Sequence, residues 1–208
     1  MVSVISPKAV IVVFAKAPVP GQAKTRLIPA LGAEGAAIFH RSLVQRTLLT
    51  ATAARAGDVE MWCAPTTDHP FFAQCATTYG VTLKVQSEGD IGRRMHAVAV
   101  DVLSRSKKMI LIGTDCPALT KEDIQQTVRD LGAGFDAVFL PVEDGGYTLV
   151  GLSRPELSIF QGIDWSTERV MAQTRDRLQR LDWRWKELPL RWDLDRPQDL
   201  ERLTSTRS

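Results

Sequence analysis

The chain has no apolar run long enough to cross a bilayer. Its longest, residues 9–15 (AVIVVFA), falls far short of the ~18–20 residues a spanning helix needs. Cysteine is scarce: Cys63, Cys75 and Cys116 are widely spaced, with no CxxC pair. That excludes a disulfide framework and a thiolate zinc site, suits a reducing cytoplasm, and leaves all three as small buried apolar groups. Charge of one sign is also missing. Against 26 Lys and Arg stand 24 Asp and Glu, a net +2, so no basic field points to nucleic acid and no polybasic tail to a membrane surface. The N-terminus does not read as a secretory signal, because only Lys8 charges it, its apolar run is minimal and a Pro-rich basic loop follows. Linkers, low-complexity tracts and repeats are absent from the 208 residues, so one domain is expected over 1–208.

What is present is alternation. The run 9–15, rich in β-branched residues, reads as a strand buried on both faces. Further strands are expected at 59–64, 81–86, 109–113, 137–141, 146–152 and 183–188. Helices are expected at 32–55, 68–79 with Asp68 as cap, 91–104, 121–131 capped by Thr120, 165–181 and 197–203. This spacing implies an α/β domain, a Rossmann-like three-layer α/β/α arrangement around a mostly parallel sheet. Ligands in such folds sit at the carboxyl ends of the strands.

The loops after the strands carry the chemistry. KAPVPGQAKTRL follows the first strand and places Lys16, Lys24 and Arg26 on one loop, with Gly21 permitting close backbone approach. Backbone donors, a point-charge lysine and a guanidinium fork suit a di- or triphosphate. The loop is not a Walker A loop, since Pro18 and Ala23 occupy its glycine positions, and GxGxxG is absent. QSEGDIGRRM offers Gly89, Asp90 and Gly92 at a helix start, either as a simple cap or as a cradle for a base, ribose or anion. Asp115, in Thr114-Asp115-Cys116-Pro117, tips a buried strand and can hold Mg2+ or Mn2+ against phosphates. Glu143-Asp144-Gly145-Gly146 reads both as a hairpin turn and as an acidic opening to ligand. Asp193 and Asp195 precede a Pro-initiated helix, where Asp195 is also explained as a cap. His40, His69 and His96 fall in or beside expected helices, away from the strand tips, and read as structural or exposed. Trp165, Trp183, Trp185 and Trp192 crowd the last quarter. Trp165, next to Ser166-Thr167, could stack on a base or sugar, although packing explains it too.

The ordered motifs FAKAPVPGQAKTRL, QSEGDIGRRM, IGTDCPAL, EDGGYTLVGL and WDLDRPQDL resemble the bacterial selenodomain-associated transferase family over 10–203. That family is glycosyltransferase-A-like and more distantly similar to the molybdenum-cofactor and 2-phospholactate guanylyltransferases. The resemblance implies a nucleotide-diphospho-sugar transferase fold with one antiparallel strand in the sheet. It implies that Lys16 to Arg26 is the nucleotide-phosphate loop, with Asp115 and Asp195 the metal-side carboxylates.

The combined expectation is a transferase using Mg2+ or Mn2+, a nucleotide or nucleotide sugar, and a small-molecule acceptor. Lys24, Arg26 and Asp115 are the expected catalytic groups. Lys16, Ala17, Pro18, Gly21, Lys24, Thr25, Arg26, Gly89, Asp90, Gly92 and Thr114 are the expected nucleotide contacts. Glu143, Asp144, Gly145, Gly146, Trp165 and Thr167 are the expected acceptor contacts. Nucleotidyl transfer with release of pyrophosphate is favoured, because Thr114-Asp115-Cys116 lacks the DxD pair common in glycosyltransferases. Glycosyl transfer, with Glu143 or Asp144 as base, and a non-catalytic nucleotide-binding protein are the rivals.

Overall fold

A computed structural model describes residues 9–205. The expected N-terminal features up to Lys8 lie outside the described residues. Seven strands form one sheet: β1 (Ala9–Lys16), β2 (Gly57–Ala64), β3 (Thr82–Val85), β4 (Met109–Ile112), β5 (Ala137–Pro141), β6 (Tyr147–Leu152) and β7 (Trp185–Glu187). Their order is β3-β2-β1-β4-β6-β5-β7. All neighbours are parallel except β6, which runs antiparallel to both β4 and β5. The α/β fold with one reversed strand is therefore as expected. The Asp144-Gly145 turn supplies the reversal: Gly145 N–H donates to the Val142 carbonyl and Val142 N–H to that of Gly146.

Among the described residues six α-helices accompany the sheet: α1 (Ile28–Ala53, interrupted at Gly32), α2 (Pro70–Tyr79), α3 (Ile91–Leu103), α4 (Lys121–Gly132), α5 (Val170–Arg180) and α6 (Asp199–Ser205). Strand β1 shows why both faces are covered. Ile11 and Val13 pack with Leu48 of α1, Phe72 of α2 and Ile124 of α4. The alternate residues Val10, Val12 and Phe14 pack with Met95 and Val98 of α3 and Leu178 of α5. A strand apolar at every position needs two apolar layers, and it has them.

Four helix starts differ from expectation, α1 beginning at Ile28 rather than at residue 32. His69, not Asp68, caps α2, its Nδ1 accepting from Phe71 N–H at 3.2 Å. The helix expected at 165–181 begins only at Val170. Residues before it form a loop in which Ser166 takes a left-handed φ of 64°, so Ser166 and Thr167 lie in a turn. Near α6, Asp199 serves the turn that Asp195 was expected to cap, accepting from the N–H groups of Asp195 (3.0 Å) and Arg196 (2.7 Å). That leaves the Asp195 carboxylate for other partners.

A small apolar cluster of Leu27, Ala36 and Leu194, with Phe39 and Trp192 against it, docks the C-terminal segment on the start of α1. This contact brings residues near 24 and 195 together.

Candidate functional site

β1 and β4 are neighbours whose chain connections leave in opposite directions along the sheet, the switch point where open α/β sheets leave a crevice. A cavity of about 1090 Å³ opens there, at the carboxyl ends of β1 to β4. Of the expected site residues, Lys16, Lys24, Thr25, Arg26, Gly89, Thr114 and Asp115 line it, and so do Asp144, Gly146, Trp165, Thr167 and Asp195.

The charged groups meet each other inside it. Lys24 Nζ lies 3.0 Å from Asp115 Oδ1 and 3.7 Å from Asp195 Oδ1, and also donates to the Leu194 carbonyl. Arg26 Nη1 pairs with Asp195 Oδ2. Leu194 fastens the arrangement from its other side, its N–H donating to the Asp115 carbonyl at 2.7 Å. The Lys24 side chain is only 5 % exposed, whereas that of Asp115 is 51 % exposed. Lys24 also holds a left-handed backbone (φ 48°) that an L side chain adopts at a cost, so its position is over-determined by these contacts. The two cations expected to wait for phosphates are thus already paired with the two carboxylates expected to wait for a metal.

Negative charge nonetheless prevails at this end. Asp193 is pushed up to about 6, first by burial and then by the nearby carboxylates of Asp144, Asp195 and Asp115. Asp115 and Asp195 are ion-paired with Lys24 and Arg26, and Asp144 and Asp193 lie close by without an ion pair among the described residues. The donor set is all oxygen, which suits a hard divalent cation. Among the described residues no three Asp, Glu, His or Cys groups form a closed ligand cage. Asp115 and Asp195 reach one common cation, Lys24 Nζ. That fits an ion of the Mg2+ type, held by one or two carboxylates and completed by substrate oxygens.

Other expected residues have structural work outside the cavity lining. Glu143 is bound bidentately by Arg202 at 2.7 and 3.0 Å, which holds its carboxyl below the usual range. Asp90 caps α3, accepting from Arg93 N–H at 2.8 Å. At Gly92 a Cβ would stand 2.7 Å from the Phe160 carbonyl oxygen and 2.9 Å from Trp165 Cζ2, so its lack of a side chain lets the indole lie against α3. Gly145, at φ 87°, passes so close to Glu168 that a Cβ would meet that carbonyl oxygen at 2.1 Å. Ala17 and Pro18 are buried, and Gly21 is exposed. Cys116 is buried, its thiol donating to the Trp192 carbonyl, and burial pushes it up to about 11.

Three cavity residues were not anticipated. His40 lies at the tip of β1 rather than away from the strand ends, its Nε2 2.9 Å from the Lys16 carbonyl oxygen, and burial lowers its basicity. Gln86 and Arg94 form a bonded pair at the tips of β2 and β3. Both stand in QSEGDIGRRM, where the reading of the sequence rested on Gly89, Asp90 and Gly92. The useful signal was a glutamine ending a strand with an arginine on the following helical turn. Trp165 lines the cavity edge-on to Tyr147, with ring centroids 6.4 Å apart.

Comparison with known structures places this architecture. A provisionally named nucleotide-diphospho-sugar transferase from Desulfovibrio desulfuricans G20 superposes with a TM-score of 0.87 at 29% identity, covering 96% of this chain and 87% of that one. The 4-diphosphocytidyl-2C-methyl-D-erythritol synthase of Anaerococcus prevotii DSM 20548 gives 0.67 at 8% identity, covering 97% and 96%. Glucosyl-3-phosphoglycerate synthase of Mycobacterium tuberculosis, solved with Mn2+, uridine diphosphate and glucosyl-3-phosphoglycerate, gives 0.58 at 12%, covering 96% and 76%. The nucleotide-diphospho-sugar transferase fold implied by the motif order is the one these proteins share. No curated protein matches at the level of sequence. Residues 47–167, more than half of the chain, match the family described as "Uncharacterized protein conserved in bacteria" (DUF2064), and the chain belongs to that family.

Proposed function

We propose that the protein is a metal-dependent nucleotidyltransferase, passing a nucleotidyl group from a nucleoside triphosphate to a small phosphorylated or carboxylate acceptor and releasing pyrophosphate. The observation that carries this reading is the excess of carboxylate over cation at one end of the strand-tip cavity. Asp115 and Asp195 are paired with Lys24 and Arg26, while Asp144 and the neighbouring Asp193 have no ion pair among the described residues. A divalent ion held by Asp115 and Asp195 would offset these unpaired negative charges, with phosphate oxygens as its further ligands. The relatives support the transferase class: they include a cytidylyl-group synthase and a glucosyl transferase solved with Mn2+.

In this reading Asp115 and Asp195 hold Mg2+ or Mn2+. When bound, the ion offsets charge building on the phosphoryl oxygens as pyrophosphate leaves. Lys24, released from part of its pairing, stays beside the same oxygens as a fixed positive charge. Arg26 steadies Asp195. No side-chain nucleophile is required, since such transfer rests on positioning and charge. Glycosyl transfer would need a base near the acceptor. Of its two candidates, Glu143 is tied to Arg202 outside the cavity lining, leaving Asp144.

The test is a thermal-shift panel of nucleoside triphosphates and nucleotide sugars with and without Mn2+, followed by product analysis. Metal-dependent stabilisation by a triphosphate, lost in Asp115→Ala and kept in His96→Ala, supports the reading. Release of nucleoside diphosphate from a nucleotide sugar would replace it with glycosyl transfer. Absence of any shift overturns both.

A further inference from the structure

Arg94 stands on the first turn of α3 and lines the cavity. Its Nη1 donates to Gln86 Oε1 at 3.0 Å. Gln86 is 8 % exposed and cannot turn away. Its Nε2 donates to the carbonyl of Trp62 at 2.8 Å and of Ala15 at 3.4 Å, while its own N–H donates to that of Cys63 at 2.9 Å. With its amide donors spent on the ends of β1 and β2, the side-chain oxygen is left to Arg94 and fixes the plane of the guanidinium.

The rest of that guanidinium is uncommitted. Its Nε is buried and has no hydrogen-bond partner among the described residues, and no carboxylate there lies within ion-pairing distance of it. The contrast with the same cavity's other cations is sharp. Lys24 and Arg26 are matched to Asp115 and Asp195, and the exposed Lys16 reaches the Gln22 carbonyl at 3.0 Å. A buried N–H on a charged group without an acceptor is costly, and native structures retain one where something else supplies the acceptor. A neutral carbonyl would satisfy the hydrogen bond and leave the charge. A carboxylate or phosphate in the cavity accepts from the terminal nitrogens of the guanidinium and also offsets its charge. The indole of Trp165 lies against Gly92 on this same turn of α3 and lines the same cavity.

We propose that Arg94, oriented by Gln86, is the anion receptor of the cavity, binding a carboxylate or phosphate group of the ligand. The proposal rests on the transferase reading only for what carries the anion: the polyphosphate of the nucleotide or the acidic group of the acceptor. The helix start is not itself the receptor, because Asp90 already occupies the Arg93 N–H.

Isothermal titration of the full chain with inorganic pyrophosphate and, separately, with malonate tests it without metal. Arg94→Met should weaken the binding of at least one anion about tenfold or more, and Arg94→Lys should restore only part, since it keeps the charge and loses the fork. Arg93→Met removes the exposed neighbour on the same turn and should bind as the wild type does. Loss confined to pyrophosphate assigns Arg94 to the nucleotide, and loss confined to malonate assigns it to the acceptor. Equal binding by Arg94→Met, equal weakening by Arg93→Met, or no binding of either anion by the wild type overturns the proposal. A wild type silent to every triphosphate and nucleotide sugar, yet losing pyrophosphate on Arg94→Met, would overturn the transferase reading and leave Arg94 as the receptor.

Discussion

Replacing Lys24 with Met keeps most of the buried stem and removes the ammonium that joins Asp115 to Asp195. At an effective dielectric near 20, charges about 3 Å apart attract by roughly 5–6 kcal/mol before desolvation is counted. The net loss is smaller. Removing one partner of a fully buried pair costs ~3–5 kcal/mol, and an exposed pair is worth ~0.2–1. Lys24 belongs to the first class at 5 % exposure and Asp115 to neither, at 51 %. Water can resolvate Asp115 but not the Leu194 carbonyl, which loses a charged donor. A destabilisation of about 2–3 kcal/mol follows, or a fall in Tm of roughly 5–10 °C for a chain of this length.

The same substitution has a second readout. It strips a resident cation from a cluster already short of positive charge, so Mn2+ should raise the Tm of Lys24→Met more than that of the wild type. Urea unfolding gives the first quantity, and thermal scans across a Mn2+ series give the second. Adding Asp115→Asn to Lys24→Met should recover part of the lost stability, because the orphaned charge goes with it. A Lys24→Met protein within about 0.5 kcal/mol of wild type, with the same response to Mn2+, would refute the claim that Lys24 is the counter-ion of these carboxylates.

Gly145→Ala should cost at least about 3 kcal/mol in urea unfolding, since φ 87° strains any other residue and the Cβ would meet the Glu168 carbonyl at 2.1 Å. Burial pushes Cys63 up to about 12 and Cys75 and Cys116 to about 11, so a thiol reagent at pH 8 should leave all three untouched in the native protein and modify all three on unfolding. Glu187 is held below the ordinary carboxylate range, chiefly by its hydrogen bonds from Arg175. A depressed folded pKa gives stability that is present above the unfolded value and lost as pH falls through the folded one. Glu187→Gln should therefore flatten the fall in stability below about pH 4.3 and leave its shape above pH 6 unchanged. Unfolding curves from pH 3 to 7 decide it.

The layers were legible because they follow from local pattern. A continuous apolar run such as 9–15 has few other places to go, and the expected strand at Ala137–Pro141 has the observed bounds. Helix starts were less legible, because capping is settled by one residue's backbone angle. Asp68 and His69 compete for one role and Asp195 and Asp199 for another. At 165–181 the apolar spacing of Val170, Thr174 and Leu178 was real, but extending it back to Trp165 ignored a turn that no spacing rule detects.

The charged site was legible as an inventory and not as a set of pairs. Lys16 to Arg26 and the three acidic loops do lie at the strand tips, yet reading each loop by its own sign assumed that its charges wait for a ligand. A lysine 5 % exposed cannot wait, because the penalty for burying an unpaired ammonium exceeds what packing its stem returns. It must find a carboxylate within the fold, and Arg26 finds one 169 positions away only because Leu194 packs with Leu27 and Ala36. Burial, a tertiary property, decides which charges are spent on the protein. Lys24 and Arg26 are spent in this way. Arg94 was passed over in the sequence in favour of neighbouring glycines, and its charge is left without a carboxylate because its side-chain hydrogen-bond partner among the described residues is the neutral Gln86. In a near-neutral chain, the groups left to recognise a ligand are those whose neighbours are polar but uncharged, and that condition appears only once distant strands are placed side by side.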